Sequence, residues 1–235
     1  MSQFPSRDGQ PDGDNQAQGC SNREMGYARS FTQETRVNDA DFGPLIAFIR
    51  CVNQSDDETF VRELPDRLDV DAFATYLALN NLLVNTDSMI GMNNNYYWYY
   101  DESATRFTLL MWGANESLPT LGGNASYDLY FANTQTMGGG HGPGNMGGEN
   151  VLMERFLAVP AFKSLYEQNL RDVYEKVFLS GAFEQSTLRY AGLIDSVNDS
   201  RQLVDMTAYE QAIQRVLTFI EKRTAYLVST ELLGR

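Results

Sequence analysis

Asp87 and Asn95 are the residues best placed to do chemistry. Asp87 lies in a polar stretch, 86–94, and Asn95 follows it just before a run of aromatic residues. A carboxylate can orient an acceptor hydroxyl and take up its proton. An amide oxygen nearby can help to hold a hard cation. Past a second strand-like run, the segment MWGANES (111–117) adds the carboxylate of Glu116. Such a set suits phosphoryl transfer, which depends on positioning and charge neutralisation more than on covalent chemistry. Asn93 and Asn94 stand in for Asn95 if the register is shifted. Taken alone, an aspartate in a polar loop after a helix is most often a cap or turn residue.

The elements that must position this set are legible in the pattern. Asp69 is a candidate N-cap with Asp71 in the first turn, and Phe73, Tyr76, Leu77, Leu79, Leu82 and Leu83 recur at helical spacing. The pattern ends near Asn85, and 86–94, with Gly91, reads as a loop. Residues 95–100 and 106–112 predict two strands of a hairpin, with a turn at 101–105. Two short helices precede the Asp69 helix, one carrying Leu45, Ile46, Phe48, Ile49 and Val52, the other over 56–64. After a long irregular segment, 113–148, helices are predicted near 150–158, 161–179, 184–198 and 207–230, with Pro160 at a first turn. No internal repeat is visible. The predicted class is mostly α with one small antiparallel β-hairpin.

Helix, Asp-bearing loop, Asn, hairpin and short loop occur in the order of the catalytic core of a protein kinase. The stretch 68–101, LDVDAFATYLALNNLLVNTDSMIGMNNNYYWYYD, resembles the central signature of the CotH family, whose members are similar to atypical protein kinases. NVLMERFLAVPAFKSLY (150–166) and FIEKRTAYL (219–227) are similar to later family helices, so the likeness spans about residues 40–230. The resemblance implies a kinase-like C-terminal lobe over 27–235. It also implies ATP with Mg²⁺ or Mn²⁺ as cofactors, and transfer to a Ser or Thr hydroxyl of a protein substrate. Asp87 takes the catalytic Asp position, Asn95 the metal-binding Asn, and Trp112 the family's Trp. The family then has an acid directly after that Trp, where this chain has Gly113; Asn115 stands where a further acid is usual, and Glu116 is the nearest carboxylate. The stretch before the first helix shows no strand pattern and no GxGxxG, and the lysines are confined to Lys163, Lys176 and Lys222. The phosphate-binding N-lobe is therefore expected to be missing from this chain. An impaired kinase and a non-catalytic pseudokinase, acting as a spore-coat or cell-surface part, are both open readings at this point.

The remaining features exclude more than they assign. A formal net charge of −13 argues against a nucleic-acid surface or anionic lipid as partner. No run of about 18 apolar residues predicts a membrane span. Residues 1–26 read as a disordered polar tail with neither the basic nor the apolar part of a signal peptide, so the localisation expected from the chain as it stands is cytoplasmic, although family members are often on spore coats or cell surfaces. Cys20 and Cys51 predict unpaired thiols rather than a disulfide framework. Asp41-Phe42-Gly43 spells a kinase metal motif but precedes the Asp87 loop, so a helix-start turn is expected there. The run 96–100 predicts a half-buried strand rather than a stacking platform. The glycine cluster 138–148 with His141, the only histidine, lacks the Gly-Lys-Ser/Thr of a phosphate loop, and one histidine does not make a zinc site or a catalytic triad.

Overall fold

Asp69 and the apolar run behind it produce the central helix. The Asp69 Oδ1 accepts the Ala72 backbone N–H at 3.0 Å, which satisfies one of the donors that a helix start leaves unpaired. The helix, Val70–Leu82, is apolar nearly all round, and such a helix is stable only when enclosed. Phe73, Ala74, Leu77, Ala78 and Leu82 are completely buried. The computed structural model describes residues 31–36, 38–39, 41–118, 124–131, 150–201 and 204–234. In chain order the helices are α1 (Gly43–Gln54), α2 (Asp57–Arg67), α3 (Val70–Leu82), α4 (Val151–Ala158), α5 (Pro160–Val173), α6 (Ala182–Arg201) and α7 (Met206–Ser229). The strands are β1 (Tyr96–Asp101) and β2 (Arg106–Met111), paired antiparallel with Tyr97 opposite Leu110 and Tyr99 opposite Thr108. The described residues therefore form the mostly α fold with one small hairpin.

Helix α3 is the hub. It packs along α5 on one side and against β2 on the other. The Asp69 N–H donates to the Phe107 carbonyl at 2.8 Å, tying the start of α3 to the sheet. Aromatic rings fill the joints: Phe73 meets Phe156 edge-on at 5.0 Å, and Phe156 stacks on Phe162 at 4.9 Å. The strand run alternates as a pleat requires, with Tyr96, Trp98 and Tyr100 packed on the core and Tyr97 and Tyr99 turned to solvent. At 41–43 the Gly43 N–H bonds the Asp41 carboxylate at 2.8 Å and Pro44 sits in the first turn of α1, so this segment starts a helix.

Some boundaries differ from the sequence expectation. Helix α2 runs through Pro65 to Arg67, because Pro65 removes only its own donor and the Leu68 N–H still reaches the Leu64 carbonyl at 2.8 Å. The single helix expected over 161–179 is α-helical only to Val173, then widens to a π turn over Tyr174–Leu179. Helix α6 extends beyond the expected 184–198 at both ends. The strands stop at Tyr96 and Met111, since Asn95 (φ 52°) and Gly113 (φ 64°) leave the extended conformation. Cys51 is buried and free, and burial pushes its thiol pKa up. The 1–26 tail, Cys20, His141 and the glycine cluster lie outside the described residues.

Candidate functional site

The loop that carries Asp87 is built on the end of α3. Val84 (φ 51°) turns the chain out of the helix, a costly conformation for a β-branched residue that its surroundings must hold. They do so with a buried amide pair. The Asn85 N–H bonds the Asn80 carbonyl at 2.9 Å, and the Asn85 amide donates to Asn80 Oδ1 at 2.8 Å. The Met92 N–H then closes the loop onto the Thr86 carbonyl at 2.9 Å, and Gly91 makes this possible, since a Cβ there would lie 1.9 Å from that carbonyl oxygen. Outside anchors fix the middle. The Met89 N–H donates to the Tyr76 hydroxyl at 3.3 Å, and the Asn150 amide donates to the Met89 carbonyl at 3.1 Å. Burial holds the Tyr76 phenol far above the usual tyrosine range, so it stays neutral.

Asp87 itself is nearly buried, at 8% exposure. Its carboxylate receives two side-chain amides: Asn94 Nδ2 on Oδ1 at 3.1 Å and Asn95 Nδ2 on Oδ2 at 2.5 Å. The structure thus brings together two of the residues singled out in the sequence, Asp87 and Asn95, and adds Asn94. Asn93 accepts the Tyr96 hydroxyl at 3.1 Å. Gly113 comes to the same place from the far end of the hairpin. A Cβ built on it would lie 2.9 Å from Asn95 Cγ and 3.0 Å from Asn95 Nδ2. The Trp112 N–H bonds the Asn95 carbonyl at 3.2 Å, and the Leu118 N–H returns to the Leu83 carbonyl at 2.9 Å, so the 113–118 segment is fastened at both ends to the Asp87 loop. Glu116 belongs to a short 3₁₀ turn, Ala114–Glu116; its side chain lies outside the described residues.

One residue that reasoning from types and spacing missed supports the site from behind. Arg223, in α7, is completely buried. Its guanidinium donates to the Asn81 carbonyl and Oδ1, both at 3.0 Å, to the Leu82 carbonyl at 3.3 Å, and to the Ala125 and Tyr127 carbonyls at 2.9 and 2.6 Å. It joins the last turn of α3 to the 124–131 segment. Burial lowers its pKa to about 10, and no ion pair among the described residues includes it. Its only signal in the sequence was its place inside the FIEKRTAYL segment.

A kinase-like site implies ATP and a divalent cation, and the donor set here can be tested against that. The one described carboxylate at the site, Asp87, is already engaged by two amides. Asn95 turns its nitrogen, not its oxygen, toward Asp87, and Gly113 offers no side chain. Among the described residues no three His, Cys, Asp or Glu side chains lie together as metal ligands. Asp87 and Asn95 by themselves do not make up a dication's ligand set, and the Glu116 side chain that would complete it lies outside the described residues.

Comparison with known proteins places this geometry. No curated protein matches the chain. A family model described as CotH kinase protein matches residues 10–227, reaching further toward the N-terminus than the likeness read from the motifs. That match covers most of the chain, and the chain belongs to the CotH kinase family.

Proposed function

We propose that this chain is a CotH-family, kinase-like protein that does not transfer phosphate and works as a binding module. The observation that carries the reading is Gly113. The position following Trp112, where a metal-binding acid is expected, holds a residue without a side chain, in a left-handed conformation and against Asn95. Without an acid there, the charge that builds up on a transferring phosphoryl group has no metal to neutralise it. The face open to a partner is the outer side of the hairpin. Tyr97, Tyr99, Leu110 and Trp112 are 41–59% exposed there, and the Trp112 ring meets Tyr97 edge-on at 5.4 Å. Aromatic side chains of this kind are enriched at protein interfaces. The partner in this reading is a protein of a coat or surface assembly. A second reading, a weak kinase, is favoured by the retained Asp87–Asn95 pair, with Asp87 orienting the hydroxyl and Asn95 and Glu116 holding Mg²⁺.

Melting the chain with ATP, with and without Mg²⁺ or Mn²⁺, separates the two. A ligand that binds only the folded state raises the melting temperature. The binding-module reading expects no metal-dependent rise and no label moved from ATP to casein or to the chain itself. Label transfer by the wild type that Asp87→Ala abolishes would establish the kinase instead.

A further inference from the structure

We propose that the cleft between the end of α5, the end of α7 and the 128–130 segment is a second binding site, and that it takes a basic α-amino acid, free or as the last residue of a peptide. The proposal goes beyond the reading of the Asp87 loop and does not rest on it. The cleft has a volume of about 550 Å³, within the range of small-ligand pockets. Its walls are held in place. Tyr130 donates its N–H to Asp128 Oδ1 and its hydroxyl to Glu167 Oε1, both at 2.7 Å, and the Tyr166 hydroxyl bonds the Leu129 carbonyl. On the other side the Thr230 N–H bonds the Leu227 carbonyl at 3.1 Å and the Gly234 N–H bonds the Thr230 carbonyl at 2.9 Å, which fixes the turn after α7.

Tyr174 is the residue that points to a ligand. It is 3% exposed and lines the cleft, yet its hydroxyl has no hydrogen-bond partner among the described residues. A buried hydroxyl left in that condition costs free energy, and a ligand that bonds it recovers the loss. Burial pushes the phenol pKa up, so at neutral pH it keeps its proton and can both donate and accept. Tyr174 also begins the π turn Tyr174–Leu179, and single π turns are frequent at functional sites. Charge then selects the ligand. Arg171 and Glu175 line the cleft, and among the described residues neither side chain takes part in an ion pair. Asp128 and Glu231 line it too, so the lining carries three carboxylates and one guanidinium. An anion alone meets an excess of negative charge, and a cation alone leaves Arg171 unanswered. A basic amino acid answers both. Its carboxylate suits the forked donors of Arg171, its cationic groups suit the acids, and its aliphatic stem suits Leu129 and Leu179 of the same lining.

Titration calorimetry of L-arginine into the full chain tests the site. Tyr174→Phe is expected to weaken binding by about fivefold and yet to melt at or above the wild type, because its hydroxyl stabilises nothing within the fold. A purely structural tyrosine would not show that combination. Arg171→Ala is expected to weaken L-arginine by about tenfold and to leave agmatine, which lacks the carboxylate, unaffected. Glu175→Gln is expected to weaken both, and L-glutamate is expected not to bind. Gly-Gly-Arg binding as tightly as L-arginine identifies a chain end as the source, and L-arginine binding alone identifies the free amino acid; either supports the site. No heat from L-arginine or Gly-Gly-Arg at about 10 mM overturns the proposal. So does L-arginine binding that is unchanged in Arg171→Ala or in Tyr174→Phe. A Tyr174→Phe protein that melts several degrees below the wild type overturns it too, since the hydroxyl would then be bonded inside the fold. None of these measurements uses a nucleotide, so phosphate transfer by the wild type would sink the proposed function and leave this result to stand or fall alone.

Discussion

At Asp87 a charge is held in place by neutral groups. Two asparagine amides donate to a carboxylate that is 8% exposed, and hydrogen bonds to a charged acceptor each contribute about 1.5–3 kcal/mol. Asp87→Ala leaves both amides without that acceptor in a half-buried site. Offset in part by relief of the carboxylate's own burial, the expected net loss is about 2 kcal/mol, read as a lower urea midpoint with an unchanged denaturant slope. Gly91→Ala is expected to be worse, because the clash is with the Thr86 backbone, which no rotamer change relieves. A cost of about 3 kcal/mol, at the upper end of ordinary overpacking, follows from a 1.9 Å approach. If Gly91→Ala melts within a degree of wild type, the close turn at 86–92 is not the one described.

At the scale of elements, the Asp87 loop is held by helices that are far apart in sequence. Asn150 does two things at once: its Oδ1 caps α4 by accepting the Met153 N–H at 3.0 Å, and its amide holds the Met89 carbonyl. The Asp69 side chain only caps, at the start of α3. Each alanine substitution is expected to cost about 1 kcal/mol as a lost cap. Only Asn150→Ala should speed hydrogen exchange of the amides in 86–92, and equal exchange in both variants would show that Asn150 does not anchor the loop. This division also explains what the sequence could reveal. Capping residues and apolar periodicity are local, so α1 to α4, α7 and the hairpin were legible. So was the neighbourhood of Asp87 and Asn95, which a single loop joins. The π turn at Tyr174–Leu179 was not, because it is a change of hydrogen-bond register rather than of composition. Arg223 was not either, since an arginine on a helix ordinarily faces water; its acceptors, the carbonyls of Asn81, Leu82, Ala125 and Tyr127, carry no side-chain signature. That both Asn94 and Asn95 meet Asp87 depended on the left-handed turns at 93 and 95, which spacing does not fix.

At the scale of the whole molecule, charge sets the response to pH. The net charge of −13 at pH 7 repels itself in the folded state, and titration toward the isoelectric point near 4.4 relieves that repulsion. Against this stand carboxylates whose pKa folding lowers: Asp56 by the Thr59 backbone N–H, Glu63 by its bond from the Arg67 side chain, and Asp101 chiefly by the Ser103 hydroxyl. A carboxyl group with a lower pKa folded than unfolded binds fewer protons when folded. It therefore favours the folded state above its unfolded pKa, about 4, and this contribution is lost as pH falls through the folded value. The two effects oppose each other above about pH 5 and reinforce each other in acid, where the chain also becomes positive. The melting temperature should therefore peak at about pH 5–6 and fall steeply below about pH 4. Salt distinguishes the causes, because screening weakens interactions between exposed charges. Added NaCl should raise the melting temperature at pH 8 and change it little at pH 5.5. Asp101→Asn should make the acid limb shallower, since an amide keeps acceptor geometry at the hairpin turn but does not titrate. An acid limb unchanged in that variant would mean that the turn carboxylate contributes nothing to the pH dependence, and that the fall in acid comes from the other carboxylates and from net charge.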